Sequence, residues 1–78
     1  MTNPVYRLTE IVGTSQNSVE EAIQNGVRRA AKTLRNLDWF EVTQIRGSIA
    51  KGEVGQYQVC MKLGFRYEAD DLGFDLDA

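Results

Sequence analysis

Residues 54–67 alternate between apolar and polar side chains along almost their whole length. The apolar positions are Tyr57, Val59, Met61, Leu63, Phe65 and Tyr67. Strict alternation predicts a β-strand, because successive side chains of a strand point to opposite faces of the sheet. We therefore expect the apolar face of this strand to pack on a helix, and the mixed face to point the other way.

Helical periodicity begins at Ser18. Ser18 and Glu21 have the spacing of a capping box, in which the hydroxyl accepts from a backbone N–H of the first turn and the carboxylate returns to the amide of the cap. The apolar positions that follow recur at i, i+3, i+4 and i+7: Val19, Ala22, Ile23, Gly26, Val27, Ala30, Ala31 and Leu34. This spacing predicts one helix with a single stripe facing the sheet.

Residues 5–13 and 39–50 are rich in β-forming types and predict two further strands. The element order is then β-α-β-β, an α+β subunit with a three-stranded antiparallel sheet packed on one helix. The segment Lys51-Gly52-Glu53 joins the last two strands as a hairpin loop. A loop of these three residues would place Ala50 opposite Val54.

The chain of 78 residues is short for a stable core. A domain of this size buries only about 60% of the surface that its unfolded chain exposes. Cys60 is the only cysteine, so no disulfide can form within the subunit. We therefore expect self-association, and the single thiol together with the absence of a signal-like N-terminus favours a cytoplasmic location.

Charge is unevenly distributed along the chain. Of the eleven acidic residues five lie in residues 68–78, so the first 67 residues carry a net charge of +3. We divide the chain into a domain of residues 1–69 and a solvated acidic tail of residues 70–78. The domain could attract phosphate-bearing ligands, whereas nucleic acid requires a denser basic surface, and no apolar stretch is long enough to cross a membrane.

The sequence contains no histidine, which excludes a Ser-His-Asp arrangement and an imidazole metal site. Gly13-Thr14-Ser15 precedes the helix but lacks the spacing of a phosphate-binding loop. These absences argue against hydrolytic and zinc chemistry, and we predict no catalytic residue and no metal ligand.

Trp39 is the only tryptophan and the first candidate for binding. Phe40 and Val42 have the phase of the helix side, so Trp39 should point away from the core of its own subunit. Covering an indole of ~150–250 Å² is worth roughly 4–6 kcal/mol at about 25 cal/mol per Å². We expect a neighbouring subunit or a flat ligand to cover it.

A second candidate group lies on the predicted hairpin. The three-residue loop would place Arg46 opposite Gln58, with Gln44 in the phase of Arg46. A planar guanidinium and an amide that both donates and accepts suit the edge of a pyrimidine-like ring. The alternative is that this face only packs against a neighbouring subunit.

Several ordered segments resemble the dodecins, a family of small flavin-binding proteins. They are Glu10-Ile11-Val12-Gly13-Thr14-Ser15, Ala30-Ala31-Lys32-Thr33-Leu34-Arg35, Leu37-Asp38-Trp39-Phe40-Glu41-Val42, Ile45-Arg46-Gly47, Tyr57-Gln58-Val59 and Gly64-Phe65-Arg66. The resemblance covers nearly the whole predicted domain, and the tail extends past the usual end of the family pattern.

The resemblance implies a hollow homododecamer that stores and protects riboflavin or FMN and is not an enzyme. Flavins would stack between symmetry-related copies of Trp39, which would quench the excited ring, while Gln58 would hydrogen-bond the ring edge. Arg46 matches an arginine near the ligand, and Arg66 matches one that contacts phosphate. Some members of the family also bind coenzyme A at subunit contacts.

Trp39 and Arg46 are seven positions apart, about 23 Å along a regular strand, and an odd spacing puts them on opposite faces. We therefore predict a β-bulge near Thr43 or Gln44 and a pocket built from more than one subunit. Two alternatives stay open: a structural or coenzyme A-binding shell without flavin function, and a flavin-dependent redox enzyme, which would need an open ring face.

Overall fold

A computed structural model of the chain describes residues 3–68. Within this range the chain forms β1 (Tyr6–Ser15), α1 (Val19–Ala30), β2 (Leu37–Ala50) and β3 (Glu53–Arg66). The strands form an antiparallel sheet in the order β1-β3-β2. The predicted β-α-β-β order and α+β class are therefore confirmed. The predicted tail, residues 70–78, lies outside the described residues.

The core lies between the central strand and the helix. Val59, Met61 and Leu63 of β3 are at most 1% exposed, and Ala22 of α1 is fully buried against them. These three β3 residues belong to the apolar set of the alternating pattern. The central strand carries the clearest pattern because α1 covers one of its faces and its two neighbours cover its edges.

The helix begins as predicted, but its cap differs in one respect. The Ser18 hydroxyl accepts a hydrogen bond from the Glu21 amide at 3.0 Å, as a capping box requires. The Glu21 carboxylate, however, accepts from Ser15 Oγ at 3.0 Å and from Asn17 Nδ2 at 2.7 Å, and the Ser18 amide donates to Ser15 Oγ. The second half of the predicted capping box is wrong, because the buried Ser15 hydroxyl at the end of β1 lies between the two groups.

The helix also ends before the predicted stripe does. It finishes at Ala30 with Ala31 as its cap, whereas the stripe extends to Leu34. The chain then reaches β2 through Asn36, whose φ of 65° lies in the left-handed region that asparagine tolerates better than most residues. The carbonyl of Asn36 accepts from the Arg66 amide, which joins this turn to the end of β3.

Strands β2 and β3 extend well beyond the helix. At ~1.5 Å per helical residue and ~3.3 Å per strand residue, α1 is about 18 Å long and each of these strands about 46 Å. The helix therefore covers less than half of the hairpin. Ile45, Ile49 and Val54 are 56%, 79% and 55% exposed near the far end, and we call these three residues the hairpin patch.

The turn of the hairpin is shorter than predicted. It consists of Lys51 and Gly52, whose φ angles of 55° and 78° are the positive values that a tight two-residue turn requires. Ala50 therefore pairs with Glu53, and the predicted pairing of Ala50 with Val54 is wrong. Gly55 is an extra residue on β3, and this bulge offsets the shorter turn.

Two further bulges lie on β2. The register shifts between Leu37 and Trp39 and again between Val42 and Gln44, which leaves Asp38 and Thr43 without a partner residue on β3. The second shift confirms the bulge that the sequence predicts near Thr43 or Gln44. Each bulge turns the following side chains to the other face of the sheet.

Candidate functional site

Trp39 lies on the face of the sheet opposite to the helix. Leu37 joins the core on the helix side, but the bulge at Asp38 brings Trp39 opposite Gly64, and the indole covers the position where a Gly64 side chain would stand. The side chain of Leu63, next to Gly64, is buried on the helix side. The predicted direction of Trp39 is therefore confirmed, and the residue is 43% exposed.

Tyr6 lies beside the indole and was not identified from the sequence. The ring centroids of Tyr6 and Trp39 are 4.7 Å apart, with the ring planes inclined by 48°. Tyr6 pairs with Arg66 on β3, so it reaches Trp39 from the far strand of the sheet. Its contact with Trp39 depends on which residues of β1 lie level with those of β2 across β3, and the β1 sequence does not indicate this alignment.

The second predicted group forms a connected polar cluster, which consists of Gln44, Arg46, Gln56 and Gln58. Arg46 pairs with Gln58 in the register and donates from Nε to Oε1 of Gln58 at 2.8 Å. It also donates from Nη1 to Oε1 of Gln44 at 3.2 Å. The Gln58 amide nitrogen in turn donates to Gln56 at 3.1 Å. The predicted proximity of Arg46, Gln58 and Gln44 is confirmed.

Cys60 borders this cluster and was also missed as a member of it. Its Sγ lies 3.7 Å from Oε1 of Gln44, at the distance of a weak S–H hydrogen bond. The alternation of β3 gives Cys60 the phase of Gln58, so the sequence did contain the signal that both share one face.

Arg66 lies at the other end of the face, near the aromatic pair. It pairs with Tyr6 and forms an ion pair with Asp38, Nη1 to Oδ2 at 3.4 Å. Both side chains of the ion pair remain partly exposed, so its contribution to stability is small. Of the four polar residues predicted to bind the ligand, Arg66 is therefore the one that lies near Trp39.

The two groups are well separated within one subunit. Trp39 is opposite Gly64 and Arg46 is opposite Gln58, six positions along β3, or about 20 Å. Both groups lie on the same face because of the bulge at Thr43. A single tricyclic ring that stacks on Trp39 therefore cannot reach Gln58 of the same chain.

A separate groove of about 620 Å³ runs between β1 and α1. Ile11, Gly13, Gly26 and Ala30 contribute to its walls, and its lining includes none of the predicted binding residues. Its described lining contains no aromatic side chain on which a flat ring could stack, so the exposed sheet face is the better candidate.

Two other kinds of site were sought in residues 3–68. No helix in this range is both long and apolar enough to span a membrane. In the same range, histidine, cysteine and carboxylate side chains do not form any group of three or more that could hold a metal ion.

Comparison with known proteins identifies relatives of nearly the whole described region. The family model described as Dodecin matches residues 5–68. The curated Dodecin of Thermus thermophilus is 55% identical over 64 residues, which cover 82% of this chain and 93% of that protein.

Solved structures give the same result. The dodecin from Streptomyces coelicolor superposes with a TM-score of 0.84 at 57% identity, covering 90% of this chain and 100% of the other. The dodecin from Streptomyces davaonensis superposes with a TM-score of 0.82 at 52% identity, covering 86% and 98% of the two chains.

Proposed function

The chain belongs to the dodecin family of flavin-binding proteins, and we propose that it stores and protects riboflavin or FMN by stacking the flavin ring on Trp39. The observation that carries this proposal is the position of the indole. Trp39 lies outside the core of its own subunit, on the sheet face opposite to α1, and is 43% exposed. A large aromatic ring held in this way offers a flat apolar surface to a flat ligand.

Gln58 is the residue that we assign to the edge of the flavin ring. Its amide can donate and accept at the same time, which suits the alternating acceptors and donors of a pyrimidine-like ring. Arg46 and Gln56 hold this amide from both sides at 2.8 and 3.1 Å. Gln44, which accepts from Arg46, belongs to the same polar cluster and would serve a polar arm of the ligand.

The complete pocket takes residues from more than one subunit. About 20 Å of β3 separate the position opposite Trp39 from Gln58, more than one flavin ring can bridge. A second copy that brings its own polar cluster or its own Trp39 to the first resolves this mismatch. Two indoles related by symmetry would then enclose the flavins between them.

Self-assembly has a second argument in the exposed apolar surface. The hairpin patch extends beyond the helix. Leu8 and Val12, on the sheet face that points away from the helix, are 54% and 49% exposed. Burial of such surface is worth about 25 cal/mol per Å², which favours contacts between copies of a subunit that cannot cover its own sheet. We propose that the assembly is the hollow homododecamer that the family resemblance implies.

Arg66 is the residue that we assign to a phosphate, if the ligand is FMN. It lies at the tryptophan end of the sheet, and within residues 3–68 its ion-pair partner is the partly exposed Asp38. A bound phosphate would compete with this carboxylate for the guanidinium, which binds both groups well.

We propose binding and not turnover. Quenching by an adjacent indole returns the excited flavin to its ground state before it can react, and a ring enclosed between two indoles has no face free for hydride transfer. Purified protein with riboflavin should therefore show no NAD(P)H oxidation, and steady turnover would support the redox enzyme instead.

Fluorescence titration of riboflavin with the purified protein tests the proposal. We expect strong quenching by the parent protein and loss of most of it in Trp39→Ala, with Trp39→Phe in between. Phe40→Leu is the matched control, because it removes the neighbouring aromatic ring, which has the opposite phase and pairs with the core residue Leu63. If Trp39→Ala quenches as strongly as the parent, the stacking role is wrong.

An oligomer that leaves riboflavin fluorescence unchanged would favour the shell without flavin function.

A further inference from the structure

We infer that Gly64 and Tyr6 form a socket that sets the position and tilt of the Trp39 indole before any ligand binds. Gly64 is buried, although it stands on the sheet face opposite to the helix. A Cβ built on Gly64 would collide with Cε2 and Cζ2 of Trp39 and would lie 2.7 Å from Cδ2. These three atoms are consecutive in the six-membered ring, so the indole occupies the volume that any side chain at position 64 would need.

The backbone does not explain the glycine at this position. Among the described glycines only Gly52 has a positive φ, so the conformation of Gly64 is one that residues with a side chain can adopt. The requirement is the close approach of the ring to β3. Gly64 therefore acts through Trp39 and not through the path of the strand.

Tyr6 supplies the lateral wall of the socket. Its ring centroid is 4.7 Å from that of Trp39 and its plane is inclined by 48°, a tilted arrangement within the range that aromatic pairs favour. Tyr6 belongs to β1 and Trp39 to β2, with β3 between them. The two rings can meet only because Gly64 places no side chain in the path from one strand to the other.

The bulge at Asp38 completes the arrangement. It turns Trp39 onto this face two positions after Leu37 has packed on the helix side. Three strands thus hold the indole, and 43% of the residue remains accessible. A ring held in one orientation loses little side-chain freedom when a flat ligand stacks on it, so the socket acts as a preorganised half of the binding site.

The part of this inference that concerns flavin rests on the proposed function, whereas the part that concerns the indole does not. Because Trp39 is the only tryptophan, its emission anisotropy and the long-wavelength edge of the near-ultraviolet circular dichroism, where tyrosine and phenylalanine do not absorb, report this one ring without any ligand. We expect Gly64→Ala and Tyr6→Ala to lower the anisotropy and weaken the dichroic band. Tyr6→Phe should retain both signals, because ring contact and not the hydroxyl positions the indole.

Gly55→Ala is the matched control on the same strand, where the atoms nearest to an added Cβ belong to Ser48 and Ala50 and not to Trp39. It should leave the Trp39 signals unchanged. Far-ultraviolet circular dichroism checks that each variant is folded. If Gly64→Ala does not fold, Tyr6→Ala and Tyr6→Phe decide the question by themselves.

Riboflavin titration of the same variants supplies the second readout. We expect the Kd to rise about tenfold in Gly64→Ala and Tyr6→Ala and to stay within about twofold of the parent in Tyr6→Phe. Unchanged Trp39 signals in Tyr6→Ala would overturn the socket, even with riboflavin bound normally. Changed Trp39 signals in Gly64→Ala and Tyr6→Ala, together with a parent protein that does not bind riboflavin, would support the socket and refute the proposed function.

Discussion

Arg46 on β2 donates a hydrogen bond from Nε to Oε1 of Gln58 on β3 at 2.8 Å, directly across the register of the hairpin. The same guanidinium reaches Gln44 through Nη1, and the amide nitrogen of Gln58 is held by Gln56. The orientation of the Gln58 amide is therefore set by its neighbours. This makes Arg46 a positioning residue for the group that we assign to the flavin edge.

Replacement of Gln58 should weaken flavin binding more than replacement of its neighbours. A hydrogen bond contributes roughly 0.5–1.5 kcal/mol, so we expect Gln58→Ala to raise the riboflavin Kd by up to about tenfold. Arg46→Lys should have a smaller effect, because Arg46 acts through the orientation of Gln58. A lysine keeps the charge but lacks the planar fork that serves two acceptors at once, so the Gln58 amide would be held less firmly. Titration of riboflavin fluorescence measures both, with Lys51→Ala in the exposed turn as the control. Equal affinity of the parent and Gln58→Ala would contradict the assignment.

A charge in the hairpin patch should prevent assembly. Ile49 is 79% exposed in the single chain, so Ile49→Glu costs little within the subunit. At a contact between copies the same carboxylate would be buried without a partner, which is strongly unfavourable. Native mass spectrometry should show a smaller species for Ile49→Glu and the parent assembly for Lys51→Glu at the turn. An unchanged mass for Ile49→Glu would place the contact elsewhere.

Gly13 and Gly26 should respond differently to alanine, although both lie where α1 meets the sheet. A Cβ on Gly13 would collide with the carbonyl oxygen of Ala22, which belongs to the helix backbone and cannot move alone. We expect Gly13→Ala to lower the free energy of unfolding by about 1–3 kcal/mol.

For Gly26→Ala the nearest atom is the terminal methyl of Met61 at 2.9 Å, the end of a flexible side chain. Alanine also favours the helix by roughly 1 kcal/mol relative to glycine, so the two effects should nearly cancel. Urea unfolding at one fixed protein concentration compares the two variants. A negligible loss in Gly13→Ala would contradict the predicted collision with the helix backbone, and a loss in Gly26→Ala as large as that in Gly13→Ala would contradict the predicted cancellation.

The Glu21 carboxylate should make stability depend on pH. Hydrogen bonds from Asn17 and then from Ser15 hold the pKa of Glu21 below its ordinary value. A group whose pKa is lower in the folded chain stabilises that chain at pH values above the ordinary pKa, and this contribution is lost as the pH falls through the folded pKa. The parent should therefore exceed Glu21→Gln in stability at neutral pH, and the difference should shrink in acid.

Urea unfolding across a pH series measures this difference. Glu20→Gln is the matched control, since it removes another carboxylate of the first turn outside the hydrogen-bonded group of Glu21. A difference between the parent and Glu21→Gln that stays constant with pH would contradict the role of these hydrogen bonds.

Features that depend on local pattern could be predicted well from the sequence. The alternation of β3 predicted Val59, Met61 and Leu63 as core residues, and the phase of β2 predicted the outward direction of Trp39. The pairing of Arg46 with Gln58 was also predicted, but from a loop that is one residue too long. It is correct only because the bulge at Gly55 compensates for the two-residue turn.

What the sequence by itself determined is the order of the elements and the face on which most side chains lie, because both follow from periodicities within a single segment. Only the tertiary structure decided which residues of β1 stand beside those of β2, since that register is set by the pairing of each strand with β3. For this reason Tyr6 could be identified as a neighbour of Trp39 only in the folded sheet. Gly64 could be identified only from the bulge at Asp38, which brings Trp39 opposite it.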